Sequence, residues 1–427
     1  MLAARTLGEE YDAVVDDLIG SNLGKATDQT ACQSTKDRFH GNSCSSGAGL
    51  RVTLPGKPVP VTHPVTGRRD PSRSGIGWDP AAGTAREGEG VRIGLVLTAG
   101  SARGDVALAI RAEAAGFDSV FTIEFFNRHG YVPLGAIAQA TRRVRIGTAI
   151  ANAFTRTPLL HASAAMDLDE ISQGRMILGL GSATRRMNED WYAVPFSAPA
   201  ARMRELVLLL GAAIRAQKGG GFTWEGKYWQ IRVPIYARPG AARVRIPIWI
   251  AAVNRGMIAT AGAVADGLVG HPIATRRWHR EVTIPGLRTA EKENDRPQDA
   301  CVLAPYLLTS IQEDRDAAVR DAKNQIGFYF TTQLYHSILD LHGMGEVGRA
   351  CRAALRSFDI KAMADAVPDE LVDEIAIACT PDEARDRLAQ WTGLTEDPML
   401  YAPTVGVPPE RVHSNLDAIL DLFGDSQ

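Results

Sequence analysis

Residues 155–184 read TRTPLLHASAAMDLDEISQGRMILGLGSAT. Pro158 suits the first turn of a helix, where its missing N–H is no loss. Leu160, Ala164, Met166, Leu168 and Ile171 recur at helical spacing and predict an apolar face. Gly174 stands where a helix C-terminus takes a left-handed residue. Met176, Ile177, Leu178 and Leu180 then make a short apolar run, the pattern of a parallel strand covered on both faces. Gly179, Gly181 and Ser182 close that strand at its carboxyl end, where α/β proteins place ligands.

Outward from this unit, strands are predicted at Val91–Thr98, Asp118–Ile123 and Val144–Ile150 before it. The unit contributes Arg175–Leu180. Strands at Ile246–Ala252, Asp266–Gly270, Cys301–Ser310 and Met399–Pro403 follow. Helical patterns separate them. A long insertion follows the fourth strand, with a helix at Ala200–Gln217 and a hairpin at Phe222–Ile231 around Glu225-Gly226. Residues 271–300 read as polar and irregular. Eight strand–helix units predict a closed (β/α)8 TIM barrel rather than an open sheet. The stretch Leu97–Gly104 after the first strand is only loosely glycine-rich and lacks a dinucleotide fingerprint.

The barrel domain is predicted over 91–427. Residues 1–90 form an N-terminal extension expected to be largely disordered. Its first twenty positions have the pattern of one amphipathic helix; the rest is rich in Gly, Ser, Thr, Pro, Asp and Arg and poor in hydrophobics. A dispensable extension is favoured over a docking arm. The chain has 427 residues, 45% of them hydrophobic and 22% charged, as in ordinary globular proteins. A net charge of −2 gives no reason to expect nucleic acid or an anionic membrane as partner. Cys32, Cys44, Cys301, Cys351 and Cys379 are too scattered for a disulfide framework or a zinc site, so a reducing cytoplasmic setting is expected. No apolar run is long enough to span a bilayer, and no signal-peptide pattern opens the chain.

Arg156 and Pro158, Leu168-Asp169, Gly174-Arg175 and Leu178-Gly179-Leu180-Gly181 occur in one order. That ordered set resembles the bacterial luciferase-like flavin and deazaflavin oxidoreductases, and the resemblance runs from about Val91 to about Leu422. It implies a TIM barrel, a homodimer, a small-molecule substrate and one of two cofactors. The strand-four and strand-five blocks resemble the coenzyme F-420 branch more closely; FMN, with oxygen as co-substrate, is the alternative.

The resemblance also implies a site at the strand ends. Glu124 keeps the acid that deazaflavin-dependent relatives carry after strand two, while Phe125 replaces their histidine. Either Glu124 contacts cofactor or substrate, or it pairs with Arg128 or another arginine. His129 is read as an exposed loop histidine. After strand three, relatives carry a bulge, often with a cis non-prolyl bond, behind the flavin ring. The matching bond here is Ala149–Ile150, with Asn152 placed to meet the ring's polar edge. Glu124 and Asn152 are the catalytic candidates. Gly181, Ser182, Arg185, Arg186 and Asn188 after strand four, and Ala251, Ala252, Val253 and Asn254 after strand five, are candidate cofactor contacts. Relatives that oxidise sugar phosphates carry a glutamate where Thr184-Arg185 stand, so that specificity does not transfer.

Other readings fare less well. A Schiff-base aldolase needs a lysine on a strand, and none of the assigned strands has one. A barrel metallohydrolase needs a His-x-His pair on strand one, which is missing, so no metal is expected. A non-catalytic flavin-binding barrel is the remaining alternative. Trp191, Tyr192, Phe196, Phe222, Trp224, Tyr228 and Trp229 in the insertion read as either a pocket wall or the insertion's own core. Tyr329, Phe330, Tyr335 and His336 are further pocket candidates.

Overall fold

The computed structural model describes residues 91–217, 219–238, 240 and 243–424. The predicted extension over 1–90 lies outside the described residues. Eight parallel strands close into a barrel: β1 (Gly94–Val96), β2 (Ser119–Thr122), β3 (Arg145–Thr148), β5 (Met176–Gly181), β8 (Ile248–Ala252), β9 (Gly267–Gly270), β10 (Val302–Ile311) and β12 (Met399–Tyr401). Closure is made by Gly94 opposite Met399 and Leu95 opposite Leu400. Helices α1 (Ala102–Ala114), α2 (Val132–Ala140), α3 (Pro158–Ile171), α4 (Pro199–Ala216), α5 (Arg255–Val264), α6 (Ile284–Glu293) and α7 (Arg315–Phe330) lie among the crossovers, and Pro409–Phe423 is the final helix. The predicted TIM barrel is the fold.

The barrel interior is filled by aromatic rings. Phe121 on β2 and Trp249 on β8 come from strands that are not neighbours, yet their rings stack at 5.6 Å. Glycines beside them make this possible. A Cβ at Gly147 would lie 2.8 Å from the Phe121 ring, and one at Gly267 would lie 2.6 Å from the Trp249 ring. The interior is plugged there, and open space is left at the carboxyl ends of the strands.

Arg175 and Asp169 act as fasteners. Arg175 donates to the carbonyls of Ser172, Val144 and Ala138 at 2.7, 2.6 and 3.0 Å, tying three segments at the barrel's amino end. Asp169 is buried; it accepts from Arg243 Nε at 3.0 Å and from the Met176 amide at 3.3 Å. Gly174 has φ +88°, the left-handed conformation its position predicts.

Several expectations need correction. The buried face of α3 matches the predicted one only in part: Met166 and Leu168 are buried as expected, but Leu160 and Ile171 are exposed, and His161, Ala162, Ala165 and Asp169 are buried instead. Pairing lets the polar members sit inside; the Tyr131 hydroxyl meets His161 Nδ1 at 2.6 Å. The third strand is not continuous. It stops at Thr148, and β4 (Ala151–Asn152) resumes alongside Leu180 and Gly181 after the bulge. Residues 271–300 are mostly helical rather than irregular, through Arg276–Trp278, His279–Thr283 and α6, with Trp278, Val282 and Leu287 buried. A strand went unpredicted: β11 (Ala376–Cys379) pairs with Leu308–Ile311 of β10, beyond the part that β9 covers. Its four residues follow a helix directly, too short a run to show a period. The insertion hairpin is present as β6 (Phe222–Glu225) and β7 (Gln230–Val233).

Candidate functional site

A cavity of about 840 Å³ opens at the carboxyl ends of the strands. Glu124, Ala149, Ile150, Asn152, Gly181, Ser182, Ala251, Ala252, Val253 and Asn254 all line it, so residues far apart in sequence converge on one space. The Ala149–Ile150 peptide bond is cis, as the resemblance implies.

Asn152 is buried on β4, and neither its Nδ2 nor its Oδ1 has a hydrogen-bond partner of sound geometry. Buried polar groups are nearly always satisfied, so this amide, beside a Tyr192 hydroxyl that equally lacks a partner of sound geometry, is open to one. The nearby Tyr192 phenol is shifted upward, first by burial and then by the charge of Glu124, against the Asn152 amide and Arg156.

Glu124 is committed differently. Its carboxylate pairs with Arg156, whose Nη1 donates at 2.8 Å, and it accepts the Asn152 amide at 2.7 Å. Burial alone would raise its pKa. The hydrogen bonds from Arg156 and the Asn152 backbone outweigh that and hold it below the usual glutamate range. The carboxylate therefore stays ionised and spoken for. Its arginine is Arg156; Arg128 pairs instead with Asp105. His129 does not line the cavity; its Nδ1 accepts the Tyr131 and Val132 amides at 3.1 and 3.2 Å.

Arg185, Arg186 and Asn188 are not cavity-lining residues. They lie in or beside a π-helical turn, Met187–Trp191. Arg185 bonds Glu189 at 2.6 Å and the Phe196 carbonyl at 2.8 Å, and Arg186 pairs with Asp190 at 3.7 Å. The i,i+4 spacing that brings these acids alongside is readable in the sequence once the turn is helical. Asn188 Nδ2 donates to the Ser182 and Thr184 carbonyls, both at 2.8 Å, and so shapes the loop from within. Of the insertion's aromatics, Phe196 lines the cavity, whereas Trp224 and the hairpin turn are bound to Glu205 on α4.

Small residues at the strand ends divide into two kinds. Gly147 and Gly179 serve packing: a Cβ on Gly179 would lie 1.8 Å from the Thr148 carbonyl oxygen. Ala251, Ala252 and Gly256 border the cavity, and nothing lies within 4 Å of where a Cβ on Gly256 would sit. Gly256 is in the first turn of α5, whose leading amides have no intrahelical acceptor.

The adjoining wall is aromatic. Tyr306 on β10, Tyr401 on β12, Tyr329 at the end of α7, Tyr335 and His271 line it. The sequence reading named Tyr329 and Tyr335 and missed the other three; Tyr306 and Tyr401 are strand residues, and only barrel closure shows that they face inward.

Comparison with known proteins agrees with this geometry. An uncharacterized protein of Mycobacterium tuberculosis is 33% identical over 276 residues, covering 63% of this chain and 81% of its own. A putative coenzyme F-420-dependent oxidoreductase of the same species is 29% identical over 328 residues, covering 71% and 92%. The solved coenzyme F-420-dependent tetrahydromethanopterin reductase of Methanopyrus kandleri superposes with a TM-score of 0.64 at 22% identity, covering 78% of this chain and 98% of that one. A type II Baeyer–Villiger monooxygenase of Pseudomonas putida in complex with FMN superposes with a TM-score of 0.56 at 17% identity, covering 78% and 98%. A family described as luciferase-like monooxygenase matches residues 86–396, most of the chain. On its sequence, its closed barrel and its strand-end cavity, the chain belongs to the luciferase-like monooxygenase family, a family of oxidoreductases.

Proposed function

We propose that the protein transfers a hydride between coenzyme F-420 and a small organic substrate. The observation that carries this is the side-chain amide of Asn152, which lines the cavity with Ala149 and Ile150 and has no hydrogen-bond partner of sound geometry. A flat heterocycle whose edge alternates carbonyl and N–H groups meets such an amide with complementary partners. The free amides at the start of α5, bordering the same cavity beside a glycine, suit a phosphate. The residues present therefore fit a flavin-like ring with a phosphate-bearing chain. The relative named as F-420-dependent, aligned over most of its length, tips the choice toward the deazaflavin.

When bound, that coenzyme supplies a ring carbon that gives or takes two electrons and one hydrogen together, with a proton exchanged separately. The chain's own part is to bind and to exclude water. Asn152 orients the ring edge. The Glu124–Arg156 pair, closed on itself, holds the β4 bulge without adding net charge to the cavity. Apolar side chains from the strand ends keep the reacting face dry.

Absorbance and fluorescence titrations of the purified protein with F-420 and with FMN test the proposal. F-420 binding tighter than FMN binding is the expected result. Preference for FMN, with oxygen consumed on adding a reductant, overturns it in favour of a monooxygenase. We also propose a homodimer paired through barrel helices; Val132 on α2 and Leu160 on α3 are exposed apolar side chains on helices in contact. Light scattering that finds a monomer at micromolar concentration rejects it.

A further inference from the structure

We propose that His271, Tyr306, Tyr329, Tyr335 and Tyr401 form the substrate subsite, and that it selects a flat, uncharged aromatic molecule. This rests on the hydride-transfer reading for what happens to that molecule, but not for its binding.

The five rings form one continuous wall of the cavity. Tyr306 and Tyr401 stack at 5.4 Å with their planes 22° apart. Tyr329 and Tyr335 approach His271 at 4.8 and 4.3 Å between ring centroids. The wall directly adjoins the bulge that leads into Asn152, because the Tyr306 hydroxyl donates to the Ala149 carbonyl. A molecule lying on these rings is therefore beside the Ala149–Ile150 wall.

The polar tips of the wall are mostly used up within the protein. Tyr306 is bonded to Ala149, and the Tyr329 and Tyr401 hydroxyls face each other at 3.3 Å. What remains toward the cavity is chiefly ring carbon, which favours stacking with a flat partner. The acid and the arginine that line the cavity, Glu124 and Arg128, are paired off. Glu124 is neutralised by Arg156, and Arg128 by Asp105. His271 Nδ1 accepts the Ile273 amide at 3.4 Å, and burial drops its pKa to about 3, so the ring is neutral. Burial also raises the phenols of Tyr306 and Tyr329, the mark of surroundings that disfavour an anion. A cation would leave water with no free carboxylate to pair with, since Glu124 is taken by Arg156.

Three probes built on one naphthalene ring test this: 2-acetylnaphthalene, the anion 2-naphthoate and the cation trimethyl(2-naphthyl)ammonium. Each is titrated into the full chain by calorimetry, with and without saturating F-420. The neutral ketone is expected to bind at least about tenfold more tightly than either ion. Tyr335→Ala and Tyr329→Leu are expected to weaken the ketone by about fivefold or more while leaving F-420 affinity within about twofold. Equal or tighter binding of the carboxylate or the ammonium overturns the proposal, as does parental ketone affinity in the variants. If Tyr329→Leu does not fold, Tyr335→Ala decides alone, since Tyr335 is half-buried in a short turn. Failure of F-420 to bind, with ketone selectivity intact, overturns the hydride reading and leaves the subsite standing.

Discussion

Asn152 and Glu124 are 28 residues apart in sequence and joined by one backbone hydrogen bond, yet they stand in opposite conditions. The glutamate has every partner it needs. The asparagine amide has none of sound geometry, and each orphaned buried group costs about 1–3 kcal/mol. Asn152→Leu, close in volume, is therefore expected to hold or raise the melting temperature. It is also expected to weaken flavin or deazaflavin binding by about tenfold or more, as loss of a well-placed hydrogen bond does. Thermal melts beside absorbance titrations check both halves; unchanged affinity rejects the ring contact. Both positions were legible from motif order alone. Which of the two was free was not, because Arg156 comes from a different loop and reaches Glu124 only in the folded chain.

Elements are held in register by close approaches that tolerate no substitution. Gly179 on β5 passes so near the Thr148 carbonyl that a methyl group has no space, so Gly179→Ala must move one strand relative to the other. The expected cost is more than about 3 kcal/mol in chemical denaturation, at the upper end for overpacking. Gly135 in α2 is the internal control: no atom lies within 4 Å of its would-be Cβ, so Gly135→Ala is expected to gain about 0.5–1 kcal/mol. The insertion hairpin depends on one carboxylate. Glu205 on α4 accepts the amides of Lys227, Tyr228 and Trp229 at 2.9–3.1 Å and the Trp224 indole at 3.3 Å. Glu205→Ala is expected to speed hydrogen exchange at residues 227–229 while amides in β1, β2 and β5 keep their protection. Uniform loss of protection across the barrel would show instead that hairpin and barrel unfold together.

Among the described residues, His161, His279 and the cavity-wall His271 dominate the response to acid. Burial lowers His161 to about 4, His271 to about 3 and His279 to about 4. Each lies below the unfolded value of about 6.5, so the unfolded chain binds the proton first. Their contribution is complete above pH 6.5 and is lost as the pH falls toward the folded values. At pH 5 each costs about 2 kcal/mol relative to pH 7. Asp105 works the other way. Burial, despite Arg128, raises it to about 6, so its contribution is complete below its unfolded value and is lost as the pH rises through 6. The lowered histidines, His342 among them, outnumber the raised aspartates Asp105, Asp118 and Asp321, and stability is expected to fall from pH 7 to pH 5. His279→Phe keeps a ring beside Trp391, 6.0 Å away in the parent, and removes one titration. Urea denaturation at the two pH values should show the variant losing about 2 kcal/mol less than the parent.

Sequence alone determined the barrel. Apolar runs with a strand's length, helical periods between them and the ordered glycine motifs are local properties, set by backbone geometry and by which face must leave water. Matching those motifs also located the Ala149–Ile150 bond and the strand ends that border the cavity. Only the tertiary structure decided what each polar group does. Arg185 and Arg186 turn toward Glu189 and Asp190 because a π-helical turn brings those acids alongside. The aromatic wall exists because barrel closure sets Tyr306 against Ala149, 157 residues away in sequence, and Tyr401 against Tyr306. Hydrogen bonding and burial are relations between distant residues, fixed only when the last strand meets the first.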